Sequence, residues 1–339
     1  MVNRLAQCFV AIVVASALAL SLAYGVGYPQ TWWFELARYV PYPVYALPAV
    51  AAVGVSLWLG WYWRWAALLG LGLVVTLVMG LALGKADEGS GQFRLMTYNI
   101  KYYLASKQPG GFDRLAWEVM QHDPDVIVMQ DADDGGVTPR EARSRHLRTM
   151  VGTRQTYHFG QYVVASRFPM KDCKQGSMPF RGEPHSYVQC TVVVAGTEID
   201  LVTAHFISPR EGLNAARRDR LEGVDDWAQN FRDRLTQAHK LAGDLAGHPR
   251  PVIVAGDLNA IESSPIIRSL LDIGLRDAFS SAGLGYGYTH GHALRTGFSF
   301  LRIDHILVSP TLGVRDCFVG GQDASEHRPV IADLLVHRD

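Results

Sequence analysis

The sequence predicts an α/β domain of 248 residues, 92–339, behind an N-terminal region of membrane-spanning helices. Two observations lead there. Apolar residues make up 48% of the chain and crowd into the part before residue 85. The remainder repeats one unit, a short apolar run that ends in a carboxylate, an amide or an imidazole. The clearest case is Pro251-Val-Ile-Val-Ala-Gly-Asp-Leu-Asn259. Its apolar run reads as a strand buried on both faces, and Gly256 stands where close backbone approach excludes a side chain. Asp257 and Asn259 follow, two residues apart and so on one face of an extended segment. An Asx turn or a helix N-cap is the alternative for such a pair.

No Asp, Glu, Lys or Arg occurs between Arg4 and Glu35, between Arg38 and Arg64, or between Arg64 and Lys85. Each gap holds about 18 to 20 mainly apolar residues, enough to cross a bilayer as a helix. Spans are therefore expected at 6–26, 43–60 and 66–84, making 1–84 a membrane region. The first also reads as a cleavable signal peptide, with Arg4 before an apolar run that ends in small residues. The other two lack the polar face that a surface helix of a soluble domain carries. Trp58, Trp61, Tyr62, Trp63 and Trp65 surround Arg64 in the turn between the second and third spans, an aromatic belt with an inside positive charge. With Arg4 also inside and three spans, the expected place is the cytoplasmic (inner) membrane, multi-pass, with residues 92–339 extracytoplasmic. Residues 85–91, Lys-Ala-Asp-Glu-Gly-Ser-Gly, read as a flexible linker.

Of the 32 basic and 32 acidic residues, 28 and 29 fall in the domain after the linker, a net charge of −1. That weighs against a protein built to track a nucleic acid backbone, since such domains are usually basic. The four cysteines include no pair at zinc-ligand spacing. Cys173 and Cys190 flank a Gly- and Pro-containing segment, and either form a disulfide, as an oxidising compartment allows, or remain two buried thiols.

Within the domain, Phe93–Ile100 alternates in the strand manner and ends near Asn99, and helical spacing follows at 112–122. Asp125–Asp131 is a buried-type strand that delivers Asp131. Further strands are expected at 162–166, 187–194 and 199–205, the last ending in His205. Helices are expected over much of 211–246 and near 263–271. Arg302–Val308 carries Asp304 inside an apolar strand, and Glu326 and His327 precede the last strand. A buried carboxylate costs several kcal/mol unless paired, so Asp304 requires a partner. His305 points to the opposite face, which leaves His327 or His205.

Met96-Thr-Tyr-Asn-Ile100, Pro124-Asp-Val-Ile-Val-Met-Gln-Asp131, Thr203-Ala-His205, Gly256-Asp-Leu-Asn259, Arg302-Ile-Asp304 and Ser325-Glu-His327 fall in one order. In that order they resemble the motifs of the endonuclease/exonuclease/phosphatase superfamily, over essentially all of 93–336. The resemblance implies a four-layer α/β/β/α sandwich with its active site at strand ends on one rim, and a metal-dependent phosphoesterase. It implies Asp131 as the ligand of Mg²⁺ or Mn²⁺, Asn99 beside it, and Glu326 as a further ligand. Asp257 would orient and deprotonate water, and Asn259 would hold the nucleophile or phosphate. His327, kept as an imidazolium by Asp304, and His205 would donate to the phosphate. Two motifs depart from the family: Gln130-Asp131 stands for Gln-Glu, and Ser325-Glu326-His327 for Ser-Asp-His. These exchanges move carboxylate oxygens by over about 1 Å.

Three functions follow from this reading. One is a membrane-tethered phosphoesterase acting on a lipid headgroup or small phosphoester. Another is an extracytoplasmic nuclease with Arg140, Arg143, Arg145 and Arg148, or Arg217, Arg218 and Arg220, as a phosphate track. The third is a binding module whose catalysis is impaired. No Gly-x-Ser-x-Gly or Walker pattern points to another chemistry.

Overall fold

The computed structural model describes residues 1–25, 31–133, 135–136, 138–218, 220–295 and 297–338, with the side chains of residues 216, 217, 220–222 and 338, Arg217 and Arg220 among them, outside the described set. Four helices open the chain: α1 (Val2–Gly25), α2 (Trp32–Arg38), α3 (Pro43–Ser56) and α4 (Trp61–Leu73), the last continued by a π-helical turn over Val74–Val78. Among the described residues, α1 and the stretch Trp61–Val78 are long and apolar enough to cross a membrane, and α2 with α3, bent by 77°, pass the same test as a pair. Small residues let these helices approach closely: a Cβ on Gly70 would lie 3.2 Å from Val14. The third apolar stretch ends at Val78 rather than 84, because Gly80 (φ 74°) turns the chain. Ala82–Leu83 (β1) then pairs antiparallel with Leu284–Gly285 (β11).

Two six-stranded sheets follow. The first joins β2 (Gly89–Asn99), β3 (Val126–Gln130), β4 (Gln155–Phe159), β5 (Tyr162–Ser166), β13 (Gly313–Val319) and β14 (Val330–Arg338), in the order β13-β14-β2-β3-β5-β4. The second joins β6 (Met170–Ser177), β7 (Ser186–Val194), β8 (Thr197–His205), β9 (Val252–Asp257), β10 (Arg276–Asp277) and β12 (Asp304–Val308), in the order β10-β12-β9-β8-β7-β6. Each sheet has one parallel pair, β2 with β3 and β8 with β9.

The period-two pattern of the strands sorts their side chains into layers. Leu95, Val126, Val128 and Val164 meet Val192, Leu201, Ile253 and Ile306 between the sheets. Met96, Ile127 and Met129 face outward to Leu115, Val119 and Met150, on the helices α6 (Gly111–His122) and α7 (Arg140–Val151) that follow the short α5 (Tyr102–Ser106). Val202, Val254 and Leu307 face Phe231, Leu241 and Ile266, on α9 (Arg220–Leu245) and α10 (Pro265–Leu271). The result is the expected α/β/β/α sandwich. The helix expected over 211–246 is divided into α8 (Arg210–Arg218) and α9, and a short α11 (Ala278–Ala282) follows β10. Gly256 has the role expected of it, since a Cβ there would lie 2.0 Å from the Ala204 carbonyl oxygen on the neighbouring strand. Cys173 and Cys190 form a disulfide between β6 and β7.

Residues 85–91 are not the free tether expected of a Gly/Ser-containing segment. The Asp87 carboxylate accepts from Arg276 (2.9 Å) and from the Val314 N–H (3.1 Å), and β2 already begins at Gly89. The N-terminal helices also share a core with the sandwich: Ala17, Tyr24, Val74 and Val78 pack with Trp227, Ile261, Phe300 and Leu301.

One buried ionic cluster braces the edge strand β10. Arg302 donates to both oxygens of Asp277, at 2.8 Å each, and His305 Nδ1 lies 2.9 Å from the same carboxylate. Burial opposes the charge on Asp277, but Arg302 and His305 outweigh it and hold the carboxyl well below the usual carboxylate range. Arg302→Met, which leaves that buried carboxylate only His305 and the Ser280 N–H, is expected to cost about 3–5 kcal/mol, read as a lowered denaturant midpoint of the full-length protein in detergent.

Candidate active site

The inner faces of the two sheets are apolar for most of their length and turn polar at one rim. Along β2, Phe93 and Leu95 give way to Thr97 and Asn99; along β3, Val126 and Val128 give way to Gln130. Ile199 and Leu201 give way to Thr203 and His205, Ile253 and Ala255 to Asp257, and Val308 and Ile306, read backwards along β12, to Asp304. Sheet register sets His205, Asp257 and Asp304 side by side on one rung. Opposite them Asn99 pairs with Gln130. Gln130 closes the floor between the sheets, its amide donating to Thr97 Oγ1 (3.1 Å) and Thr203 Oγ1 (2.9 Å).

Asp257, only 1% exposed, is the hub. Asn99 Nδ2 donates to its Oδ2 at 2.9 Å and the Asn259 N–H to its Oδ1 at 3.0 Å. His205 Nε2 and His327 Nε2 stand 3.5 and 3.6 Å from Oδ2. Asn259 adopts a left-handed conformation (φ 48°), and its amide donates to the Phe206 carbonyl at 2.8 Å. The pair is thus joined by an Asx turn, the alternative weighed from sequence, rather than by the common face of an extended strand; the turn itself is what orients Asp257.

The partner of Asp304 is His327, whose Nδ1–H donates to it at 2.9 Å. His305 turns to the other face as expected, toward Asp277 and the Ala260 carbonyl. Burial pushes Asp304 up to about 6. Burial likewise pulls the His327 imidazole down to about 4; Asp257 acts against that, while Lys101 and His205 add to it. His327 is therefore neutral at pH 7 in the resting site, which corrects the expectation of an imidazolium: the loss of hydration outweighs the nearby carboxylates.

The sequence pattern of the Endonuclease/Exonuclease/phosphatase family matches residues 96–327. The chain belongs to this family. A search of curated proteins finds no match. Among solved structures, an endonuclease/exonuclease/phosphatase family protein from Leptotrichia buccalis is similar at 17% identity and TM-score 0.52, over 71% of this chain and 99% of its own. Truncated TDP2 from Caenorhabditis elegans gives 19% and 0.52, over 72% and 97%. The 3′-5′ exonuclease from Neisseria meningitidis gives 18% and 0.50, over 71% and 99%. Similarity at this level supports the fold.

The metal ligands that the family resemblance implied are distributed unevenly. Asp131 follows β3 in a left-handed conformation (φ 50°), and its Oδ1 lies 3.8 Å from His205 Nδ1. Its Oδ2 meets the Lys101 ammonium at 2.5 Å. Burial opposes ionisation of Asp131, yet His205 and Lys101 outweigh it and draw its pKa down to about 2. Asn99 is near, its Oδ1 accepting from the Lys101 N–H at 3.2 Å. An ionised carboxylate and an amide oxygen are hard donors that fit a divalent cation of the Mg²⁺ type. Glu326 does not join them: its carboxylate reaches Arg210 at 3.2 Å, while His290 Nδ1 holds its backbone carbonyl at 3.2 Å. Its extra methylene carries the acid outward to a surface arginine instead of lengthening its reach into the site. Among the described residues, the group of acids and histidines within metal-ligand reach of one another is Asp257, Asp304 and His327, which contains none of the three expected ligands.

The structure adds residues that sequence reasoning missed. Lys101 (φ 44°) turns its side chain back onto Asp131, and Gln161 Oε1 accepts from His205 Nδ1 at 2.6 Å. His290 lies beside His327, with ring centroids 4.7 Å apart and the rings tilted by 39°. A cation two residues past a strand-end asparagine was the one available signal for Lys101; nothing local marks Gln161 or His290. In metal-free protein, His327 is expected to titrate near 4 in a pH series of histidine-selective NMR spectra. A midpoint at or above the ordinary 6.5 would contradict the burial argument.

Proposed function

We propose that this protein is a membrane-anchored, Mg²⁺-dependent phosphoesterase that hydrolyses a phosphodiester or phosphomonoester by in-line attack of water, with a phospholipid headgroup as its preferred class of substrate. The observation that carries the reading is the convergence of Asp257, His205 and His327 on one rim, with Asp304 buried behind His327. Asp257 orients the water and takes its proton, held ready by Asn99 and the Asn259 turn. His205 and His327 face the phosphate. An arriving anion favours the imidazolium form of His327 that burial disfavours at rest, and Asp304 then stabilises it. Lys101 adds positive charge where the phosphate oxygens gather. A divalent cation held by Asp131 and Asn99 would polarise a phosphoryl oxygen and offset charge on the leaving group.

The lipid assignment draws on how the rim is built. Tyr288 donates to the Met79 carbonyl at the end of the third apolar stretch (3.2 Å), and His290, two residues on, lies beside the His327 ring. Leu83 and Leu284, paired in β1–β11 a few residues past that stretch, are 71% and 80% exposed. Such a rim stays near the headgroups, and confinement raises the effective concentration of a substrate held in the same surface. A multi-pass topology with the sandwich outside accords with the exposed Trp58, Trp61, Tyr62 and Trp65 around Arg64 and with the Cys173–Cys190 disulfide.

A nuclease is the second reading. The similar exonuclease from Neisseria meningitidis favours it, as do the exposed Arg140, Arg145 and Arg148 on α7, although Arg143 is already paired with Asp133 at 2.7 Å. The intact bonds of Asp257, Asp304 and His327 weigh against an inactive binding module.

Asp257→Asn is expected to lower kcat by about 10²–10⁴ with the fold retained, measured on bis(p-nitrophenyl) phosphate with Mg²⁺. Full-length protein in phospholipid vesicles is expected to release headgroup or phosphate and to leave added oligonucleotides largely intact. Ready cleavage of oligonucleotides with every lipid untouched would establish the nuclease reading in its place.

A further inference from the structure

We infer that α2 positions the active site: Tyr39, just past its end, and Arg234 of α9 hold the Asn259 carbonyl, and through it the Asp257 carboxylate. The N-terminal helical region is then part of the catalytic framework as well as an anchor. The inference rests on the phosphoesterase reading above and goes beyond it.

Glu35, Arg38 and Arg234 are all fully buried, an arrangement that is costly unless each charge is matched. Glu35 accepts from Ser264 Oγ (2.9 and 3.1 Å) and from Arg234 (3.3 Å), which ties α2 to α9 and to the cap of α10 at once. Trp227 Nε1 donates to the Trp32 carbonyl at 2.8 Å, and the Tyr39 ring stands edge-on to Trp227 at 5.5 Å. The Arg234 guanidinium lies over both rings, at 5.3 and 5.4 Å. Two donors then meet on one acceptor: the Tyr39 hydroxyl reaches the Asn259 carbonyl at 2.5 Å and Arg234 reaches it at 2.9 Å.

That carbonyl belongs to a non-glycine residue in the left-handed region (φ 48°), which asparagine enters more readily than other side chains and which the two donors hold in place. The carbonyl and the N–H of Asn259 flank one α-carbon. Fixing the first in the left-handed well fixes the direction of the second, which donates to Asp257 Oδ1 at 3.0 Å. The chain of contacts thus runs from α2 to the carboxylate assigned to the attacking water, through a local Asx turn that Tyr39 and Arg234 hold from outside.

The test uses full-length protein in nanodiscs with bis(p-nitrophenyl) phosphate and Mg²⁺. Tyr39→Phe keeps the ring against Trp227 and removes only the hydroxyl. Its kcat is expected to fall about tenfold with KM within about twofold, because small misplacements of a reacting group act on turnover more than on binding. The thermal midpoint should stay at the wild-type value. Trp33→Ala, on the exposed side of the same helix, should leave kcat unchanged. Arg234→Met would remove a partner of Glu35 as well as a donor to the Asn259 carbonyl, leaving Glu35 to Arg38 at 3.5 Å and to Ser264, so Tyr39→Phe is the decisive variant. Wild-type kcat in Tyr39→Phe, or a loss of kcat matched by a loss of folded protein, overturns the positioning role. Asp257→Asn in parallel separates the two levels. If it keeps turnover, the assignment of Asp257 to the attacking water falls and this inference with it; if it is inactive while Tyr39→Phe is unimpaired, the positioning role alone falls.

Discussion

A carboxylate shut between two sheets must be surrounded by partners, and the arrangement around Asp257 organises much of this molecule. Its neighbours come from four places in the chain: Asn99 ends β2, His205 ends β8, Asn259 lies in the turn after β9, and His327 precedes β14. Asn99 is 158 residues from Asp257. Only a sandwich whose two inner faces turn polar at the same rim can bring such residues together. The apolar part of those faces supplies the cohesion that keeps the polar end in place.

Within that rim the charges are graded rather than uniform. Asp131, beside Lys101 and His205, is held strongly acidic. Asp304 and His327, enclosed and hydrogen-bonded to each other, are each pushed toward neutrality. Titratable groups whose surroundings drive their pKa values apart are a mark of acid and base work in one pocket. The open side near Asp131 suits a cation, and the closed side near His327 suits proton movement.

The N-terminal helices belong to the same construction. A region whose sequence suggests tethers on a loose linker instead buries Glu35 against Arg234, 199 residues away, and packs Val74 and Val78 on Phe300 and Leu301. Buried charge pairs contribute little net stability but are intolerant of misplacement, so they specify how α2 sits on α9 and α10. The family match begins at Met96, after these helices, so this docking is a feature of the chain beyond the shared sandwich.

By itself the sequence determined the layers and most of the rim. Period-two alternation marked β2, unbroken apolar runs marked β3 and β9, runs free of charge marked the apolar helices, and the carboxylates, amides and imidazoles at strand ends fell in the order of one family. All of these are local patterns, and local patterns survive in a string of residues. Tertiary structure decided what depends on direction and enclosure. Lys101, Asp131 and Asn259 each leave their strands through a left-handed residue, and no periodicity tells where a side chain points after such a turn. For that reason Lys101 meets Asp131, Glu326 leaves for Arg210, and Asp257 is oriented by a turn. The charge state of His327 likewise follows from what encloses it, and the partners of Glu35 lie across the chain; neither is written near the residue concerned.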